Sequence, residues 1–240
     1  MIVSLTIVRY SKSRVLLALL AMAIHRLPLS LQKGCTFYKL MGSGRNGTFD
    51  LNPDWQQWAL LAVWNDRSDF DSFNQNSFIH KWWRKFTTEQ WTILLQPMQS
   101  HGKWDSKEPF GNPDSIITDG PVAVLTRATI HLNKLKSFWA NVEGVAQIMT
   151  SAPGYITSFG IGEAPFYRQS TFSVWKSLDD VKGFAYRSRE HAEVIKKTRE
   201  ENWYSEELFA RFKILDALGT LNGTDPLKGL FNFTADENNS

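Results

Sequence analysis

Residues 60–80 read LLAVWNDRSDFDSFNQNSFIH and residues 171–191 read TFSVWKSLDDVKGFAYRSREH, and the fold follows from setting one above the other. Val63-Trp64, Phe73 and His80 fall on Val174-Trp175, Phe184 and His191, each pair a step of 111 residues. Upstream, Gly42-Ser43-Gly44 matches Gly160-Ile161-Gly162 with a step of 118, so the first copy carries extra residues between its glycines and its tryptophan. The order of landmarks is preserved, which is the mark of an internal duplication.

Working outward from these strings, each copy reads as strand, helix, strand, strand, helix, strand. In the first copy the elements are expected near 3–10, 13–26, 36–41, 58–64, 68–87 and 91–98. In the second they are expected near 123–131, 132–150, 155–161, 171–175, 178–201 and 207–215. This is the ferredoxin-like βαββαβ pattern. Its sheet carries helices on one face only, so the bare face needs a partner, and two units in one chain supply each other. The expected fold class is therefore α+β, with two tandem ferredoxin-like repeats closing a barrel inside one chain. The barrel interior is the expected ligand site. The division is a first repeat over 1–100, a linker over 101–120 rich in Gly, Pro and Asp, a second repeat over 121–218, and a frayed tail over 219–240.

A hydrophobic fraction of 42% with 21% charged residues is that of a globular chain with a sizeable core. A net charge of +3 without a basic stripe argues against a nucleic-acid surface. A single cysteine, Cys35, excludes internal disulfides and thiolate metal clusters, and fits a reducing, cytoplasmic compartment. The apolar run Val15–Ile24 is too short to span a bilayer.

Gly42–Gly47 spells G-x-G-x-x-G, but Thr48-Phe49-Asp50-Leu51-Asn52-Pro53 cannot begin the helix that a dinucleotide site needs. His191-Ala192-Glu193 opens like a zinc-deaminase signature, yet no P-C-x-x-C follows. Glu206-Glu207 with Arg211 reads as a solvated or ion-paired face without a catalytic role. The histidines carry more. Val181, Phe184, Ser188, His191, Ile195 and Thr198 share one helix face, and Phe70, Phe73, Ser77 and His80, with Trp83 or Arg84, form its counterpart. Two readings fit: a hydrogen-bonded core histidine in each copy, or a neutral imidazole serving an iron porphyrin as axial ligand. With no C-x-x-C-H in the chain, a haem would be held non-covalently.

The strings Lys39-Leu40-Met41-Gly42-Ser43-Gly44, Leu125-Thr126-Arg127-Ala128-Thr129-Ile130, Phe159-Gly160-Ile161-Gly162-Glu163-Ala164-Pro165 and Thr171-Phe172-Ser173-Val174-Trp175 resemble the spheroidene monooxygenase family. So does the stretch from His191 through Arg199-Glu200-Glu201-Asn202-Trp203 and Glu206 to Phe212, ending at Asp225-Pro226-Leu227. The resemblance covers about Phe37 to Leu227. It implies a dimeric α+β barrel and a haem-dependent oxygenase that hydroxylates and ketolates the end of an acyclic carotenoid, using O2 and reduced ferredoxin. It points to His191 as the iron ligand, with His80 as the alternative. Arg127 either pairs with a haem propionate or faces outward. Phe172, Trp175 and Phe184 are expected to line an apolar slot for the polyene. A membrane-borne substrate implies a peripheral approach to lipid, for which Lys81-Trp82-Trp83-Arg84-Lys85 is either the contact or a solvated helix face.

Overall fold

The computed structural model describes residues 1–44, 52–113, 118–164, 166–187 and 189–230. Copy one runs β1 (Ile2–Tyr10), α1 (Val15–Ile24), α2 (Arg26–Ser30), β2 (Cys35–Gly44), β3 (Pro53–Trp64), α3 (Arg67–Asn76), α4 (Phe78–Phe86) and β4 (Thr87–Gly102). Copy two runs β5 (Val122–Ile130), α5 (Leu135–Thr150), β6 (Tyr155–Ala164), β7 (Arg168–Trp175), α6 (Leu178–Arg187), α7 (Arg189–Glu200) and β8 (Tyr204–Gly219). The eight strands close an antiparallel barrel in the order β1-β3-β2-β6-β7-β5-β8-β4. The copies therefore meet at two seams, β2 with β6 and β4 with β8, and neither sheet keeps a free edge. Each group of helices covers the outer face of its own four strands.

The second helix of each copy is broken where a continuous one was expected. Ser77 adopts an extended conformation, and its hydroxyl accepts from the His80 amide at 3.0 Å, so it ends α3 and caps α4. In copy two α6 ends at Arg187 and α7 begins at Arg189, and Ser188 lies outside the described residues.

The register also moves one landmark. Leu40 pairs with Leu60, and Gly160 pairs with Thr171, so Gly160 is the counterpart of Leu40 and Gly162 that of Gly42. Gly42 and Gly162 face each other directly across the β2–β6 seam, where the two copies meet. The step is therefore 120, not 118. A slip of two keeps every side chain on its face, so glycine spacing alone cannot distinguish the two registers.

The barrel interior is a packed core and not the expected ligand chamber. Val3, Leu5, Ile7, Leu61, Ile93, Leu125, Phe172 and Phe212 fill it, as alternate residues of eight closely wound strands do. Two plugs complete the packing, and both come from segments expected to be linker or tail. Trp104 and Phe110 follow β4, while Leu221 and Leu227 follow β8, all four buried in this same core. The plugs match in detail: Trp104 bridges Lys107 and Leu221 bridges Thr224. Each begins at a glycine with φ +85°, Gly102 or Gly219, where a Cβ would stand 2.2 Å from the Glu207 carbonyl oxygen or 2.1 Å from that of Gln90. A cavity of about 190 Å³ remains at one barrel mouth, bordered by Arg9, Gln57, Thr157 and Asn222. It is smaller and more polar than a polyene requires.

Candidate functional site

The two helix-covered faces of the barrel are built differently. In copy one, Val8, Ala18, Leu29, Leu60, Trp64, Phe70, Phe73, Ile79 and Trp83 form one continuous core between sheet and helices. In copy two the described residues of that layer fall into two clusters. Val122, Val124, Trp175 and Val181, with Leu178 and Phe184 against them, form one cluster. Ala128, Ile130, Phe138 and Trp203, with Trp139 and Val194, form another. Between them on β5 lies Thr126, on the helix-facing side by strand alternation and exposed to solvent in the middle of a sheet that helices cover.

The cross-strand row through this point explains the opening. In copy one the row is Leu40, Leu60, Thr6 and Thr92, and its two threonines are buried and bonded to each other at 3.0 Å. In copy two the same row is Gly160, Thr171, Thr126 and Phe209. Glycine and threonine stand where the first copy has leucines, so less side-chain volume faces the helices there. Among the described residues, exposed Thr126 thus lies between the Trp175–Phe184 pair (ring centroids 5.2 Å apart) on one side and Phe138 with Trp203 on the other, and this break in the layer is the candidate cleft. α7, which carries His191, packs against α5 and α6 over this face.

The structure distributes the expected site residues over three places. Trp175 and Phe184 line the cleft. Phe172 does not, because it occupies the opposite face of β7 and stacks on Phe159 inside the barrel. A single slot lined by all three is therefore ruled out by the two-residue period of the strand. His191 belongs to α7, and its side chain lies outside the described residues. His80 is half-buried on α4, beside the filled layer of copy one, with Nδ1 buried and without a hydrogen-bond partner. Burial first, then the Arg84 cation, lower its pKa from the usual value.

Arg127 is neither at the surface nor in the cleft. It points into the barrel, 1% exposed, hydrogen-bonded to Glu206 and 3.8 Å from both Asp105 and Glu163. Lys39 and Arg168 join the cluster, Lys39 through Asp105 and Glu163 (2.9 Å to the latter) and Arg168 at 3.4 Å from Asp105. Three cations thus face three carboxylates, and a buried guanidinium needs such partners. For Glu206 burial pushes the pKa upward, but amide donors from Ser106 and Asp105 and the Arg127 charge more than offset it, leaving the carboxyl below its usual range. The cluster ties the Trp104 plug to the barrel, since Glu206 accepts from the backbone of Asp105 and Ser106 at 3.0 and 2.7 Å. Of the stretch expected to be a solvated or ion-paired face, Glu206 turns inward to pair with Arg127, while Glu207 and Arg211 share the helix side of β8.

Sequence reasoning missed the row of Thr126, Gly160 and Thr171, and also Arg211. On the face shared with the cleft, Arg211 spreads over the Phe209 ring at 5.1 Å and donates to Gln99 at 3.0 Å. Its counterpart in copy one is the fully buried Leu94. The signal was present, because the strings that open the sequence analysis already set Leu60 above Thr171.

With the geometry in place, known proteins can be compared. Residues 122–212, which hold the cleft, match the model of a domain of unknown function (DUF3291). Among solved structures, an aldoxime dehydratase in complex with butyraldoxime superposes with a TM-score of 0.60, covering 95% of this chain and 84% of that one at 13% identity. A second aldoxime dehydratase gives 0.61 at 12% identity, covering 90% and 81%. At these identities the likeness speaks for the fold alone. Sequence relatives reach further. The spheroidene monooxygenase of Cereibacter sphaeroides is 37% identical over 227 residues, 94% of this chain and 70% of that protein. That of Rhodobacter capsulatus is 35% identical over 209 residues, 86% of each chain, and that of Rubrivivax gelatinosus is 33% identical over 193 residues, 80% of this chain and 73% of that protein. The chain is a dimeric α+β barrel that belongs to the spheroidene monooxygenase family of oxygen-dependent oxidoreductases.

Proposed function

We propose that the chain is a haem-dependent monooxygenase that hydroxylates and ketolates the end of an acyclic carotenoid, with O2 as oxidant and reduced ferredoxin as electron donor. The haem would be held non-covalently by copy two, and His191 on α7 is the residue that would ligate its iron. The observation that carries this reading is the opening over Thr126, where Gly160 and Thr171 replace the leucines that close the same layer in copy one. A haem held by a protein imidazole needs unfilled space beside the helix that bears the histidine. When bound, the haem supplies the iron at which dioxygen is activated.

The protein's share is placement and exclusion of water. Trp175 and Phe184 form one apolar wall, and Phe138 and Trp203 the other, suited to the end of a polyene. Arg211 presents a guanidinium on this face and takes the propionate-binding role once expected of Arg127, whose charge is already met by carboxylates.

The test is the ultraviolet–visible spectrum of the protein purified with haem supplied, beside His191→Ala and His80→Ala. A Soret band in the wild type is expected to shift or vanish in His191→Ala and to persist in His80→Ala. Loss only in His80→Ala would move the iron to copy one. A folded wild type that takes up no haem, yet oxidises carotenoid, would make it a cofactor-independent oxygenase.

A further inference from the structure

Among the described residues, several exposed leucines gather on one side of copy one. Leu16 (79% exposed), Leu20 (48%), Leu27 (67%) and Leu31 (73%) project from α1, α2 and the residue after them, and Phe78 (50%) joins them from α4. Among the described residues, nothing covers these side chains. The opposite face of the same segment is fastened down: Ala18, Ala21, His25 and Leu29 are buried, and the His25 ring meets Phe78, Trp82 and Trp83 edge-on at 5.6 to 6.2 Å. The segment Lys12–Ser30 has the length and composition of a membrane span. Its buried face holds it against the barrel, so the exposed leucines lie along the surface of the protein.

The charges around this ridge have one sign. No Asp or Glu precedes Asp50 in the chain. Lys12 and Arg14 stand at one end of the ridge, Arg26 and Lys33 toward the other, and α4 adds Lys81, Arg84 and Lys85 without an acid. On α3, Asp71 pairs with Arg67, and Asp69 lies against Gly34. An apolar stripe rimmed by cations matches an anionic bilayer surface, whose headgroups take the charges while the leucines enter the acyl boundary. Two copies meeting through this ridge would bring the same cations together, which disfavours self-association.

We propose that α1 and α2, with Phe78, dock the protein on an anionic lipid bilayer. The tryptophans of Lys81–Lys85 are not the contact, because Trp83 is buried and Trp82 turns inward to donate to the Tyr10 hydroxyl at 3.2 Å. The cleft lies on the other flank of the barrel, so this surface is an anchor and not the mouth of the site. The inference stands on the surface alone and holds whichever cofactor the chain uses.

The experiment is vesicle flotation of the full chain, without carotenoid, on phosphatidylcholine liposomes with and without phosphatidylglycerol. Beside it run Leu16→Ser/Leu20→Ser/Leu27→Ser and Lys12→Glu/Lys33→Glu, each checked for folding by circular dichroism. Expected is wild-type binding that strengthens with phosphatidylglycerol and falls at least about tenfold in either variant. Wild-type protein that ignores both vesicles, or a folded leucine variant that binds as the wild type does, overturns the proposal. So does a wild-type dimer in light scattering that the leucine variant converts to monomer, since the ridge would then be a contact between copies.

Discussion

His25 joins α1 to α2 with its imidazole 1% exposed and its Nε2 without a hydrogen-bond partner. Burial lowers its pKa to about 4 from 6.5. The unfolded chain therefore takes up a proton between these two values while the folded chain does not, so stability falls as pH drops from 6.5 toward 4 and is level above it. Over that window the loss amounts to roughly 3 kcal/mol. Urea unfolding across pH 4 to 7 is expected to show this slope in the wild type and to lose it in His25→Leu. At the interior cluster the sign is the same in a lower window. Glu206 and Asp105 are held below the usual carboxylate range, so their contribution is present at neutral pH and disappears as acid protonates them. Glu206→Gln leaves Arg127 with only distant carboxylates and is expected to cost about 3 kcal/mol, read in the same urea midpoint.

Elements differ in how plainly the sequence announced them. All eight strands were expected close to where they stand, because alternation survives in strings such as Val3-Ser4-Leu5-Thr6-Ile7 and Leu125-Thr126-Arg127-Ala128. The break at Ser77 was not anticipated, since a serine within a helical period looks like a tolerated interior residue until its hydroxyl is seen to cap His80. Alternation also carried the information that separates Phe172 from Trp175, three residues apart on one strand and hence on opposite faces. The cleft gives the prediction at this scale. Thr171→Leu restores in copy two the side chain that Leu60 supplies in copy one. It is expected to hold or raise thermal stability, by about 1 to 2 kcal/mol, while abolishing the haem Soret band. A variant that melts lower and still takes up haem would show that the opening over Thr126 is not the binding slot.

At the scale of the molecule, closure of the barrel depends on pieces that look dispensable in sequence. The segment after Gly219 resembles a frayed tail, yet Leu221 and Leu227 are buried and Trp91 donates to Asp225 at 3.0 Å. Ending the chain at Gly219 is expected to lower stability by roughly 2 to 5 kcal/mol for each buried leucine lost, measured as the shift in denaturant midpoint. An unchanged midpoint would mean that the plug rests on the barrel without supporting it. The supposed linker likewise starts with a plug, and Trp104 belongs to the same core as Phe172. Both segments escaped notice because turn-forming Gly, Asp, Asn and Pro recur through them, while their few apolar residues are anchored one at a time.

The barrel and the family were determined by the sequence itself, because periodicity and motif order are carried by residues a few positions apart. Which face of that barrel opens was decided only by tertiary structure. Thr126, Gly160 and Thr171 are unremarkable in their own strings and become a cleft only as cross-strand neighbours. Arg127 becomes a structural ion only when closure brings Asp105, Glu163 and Glu206 around it. Burial, and the volume left between a sheet and its helices, are properties of contacts between distant segments, and no local pattern encodes them.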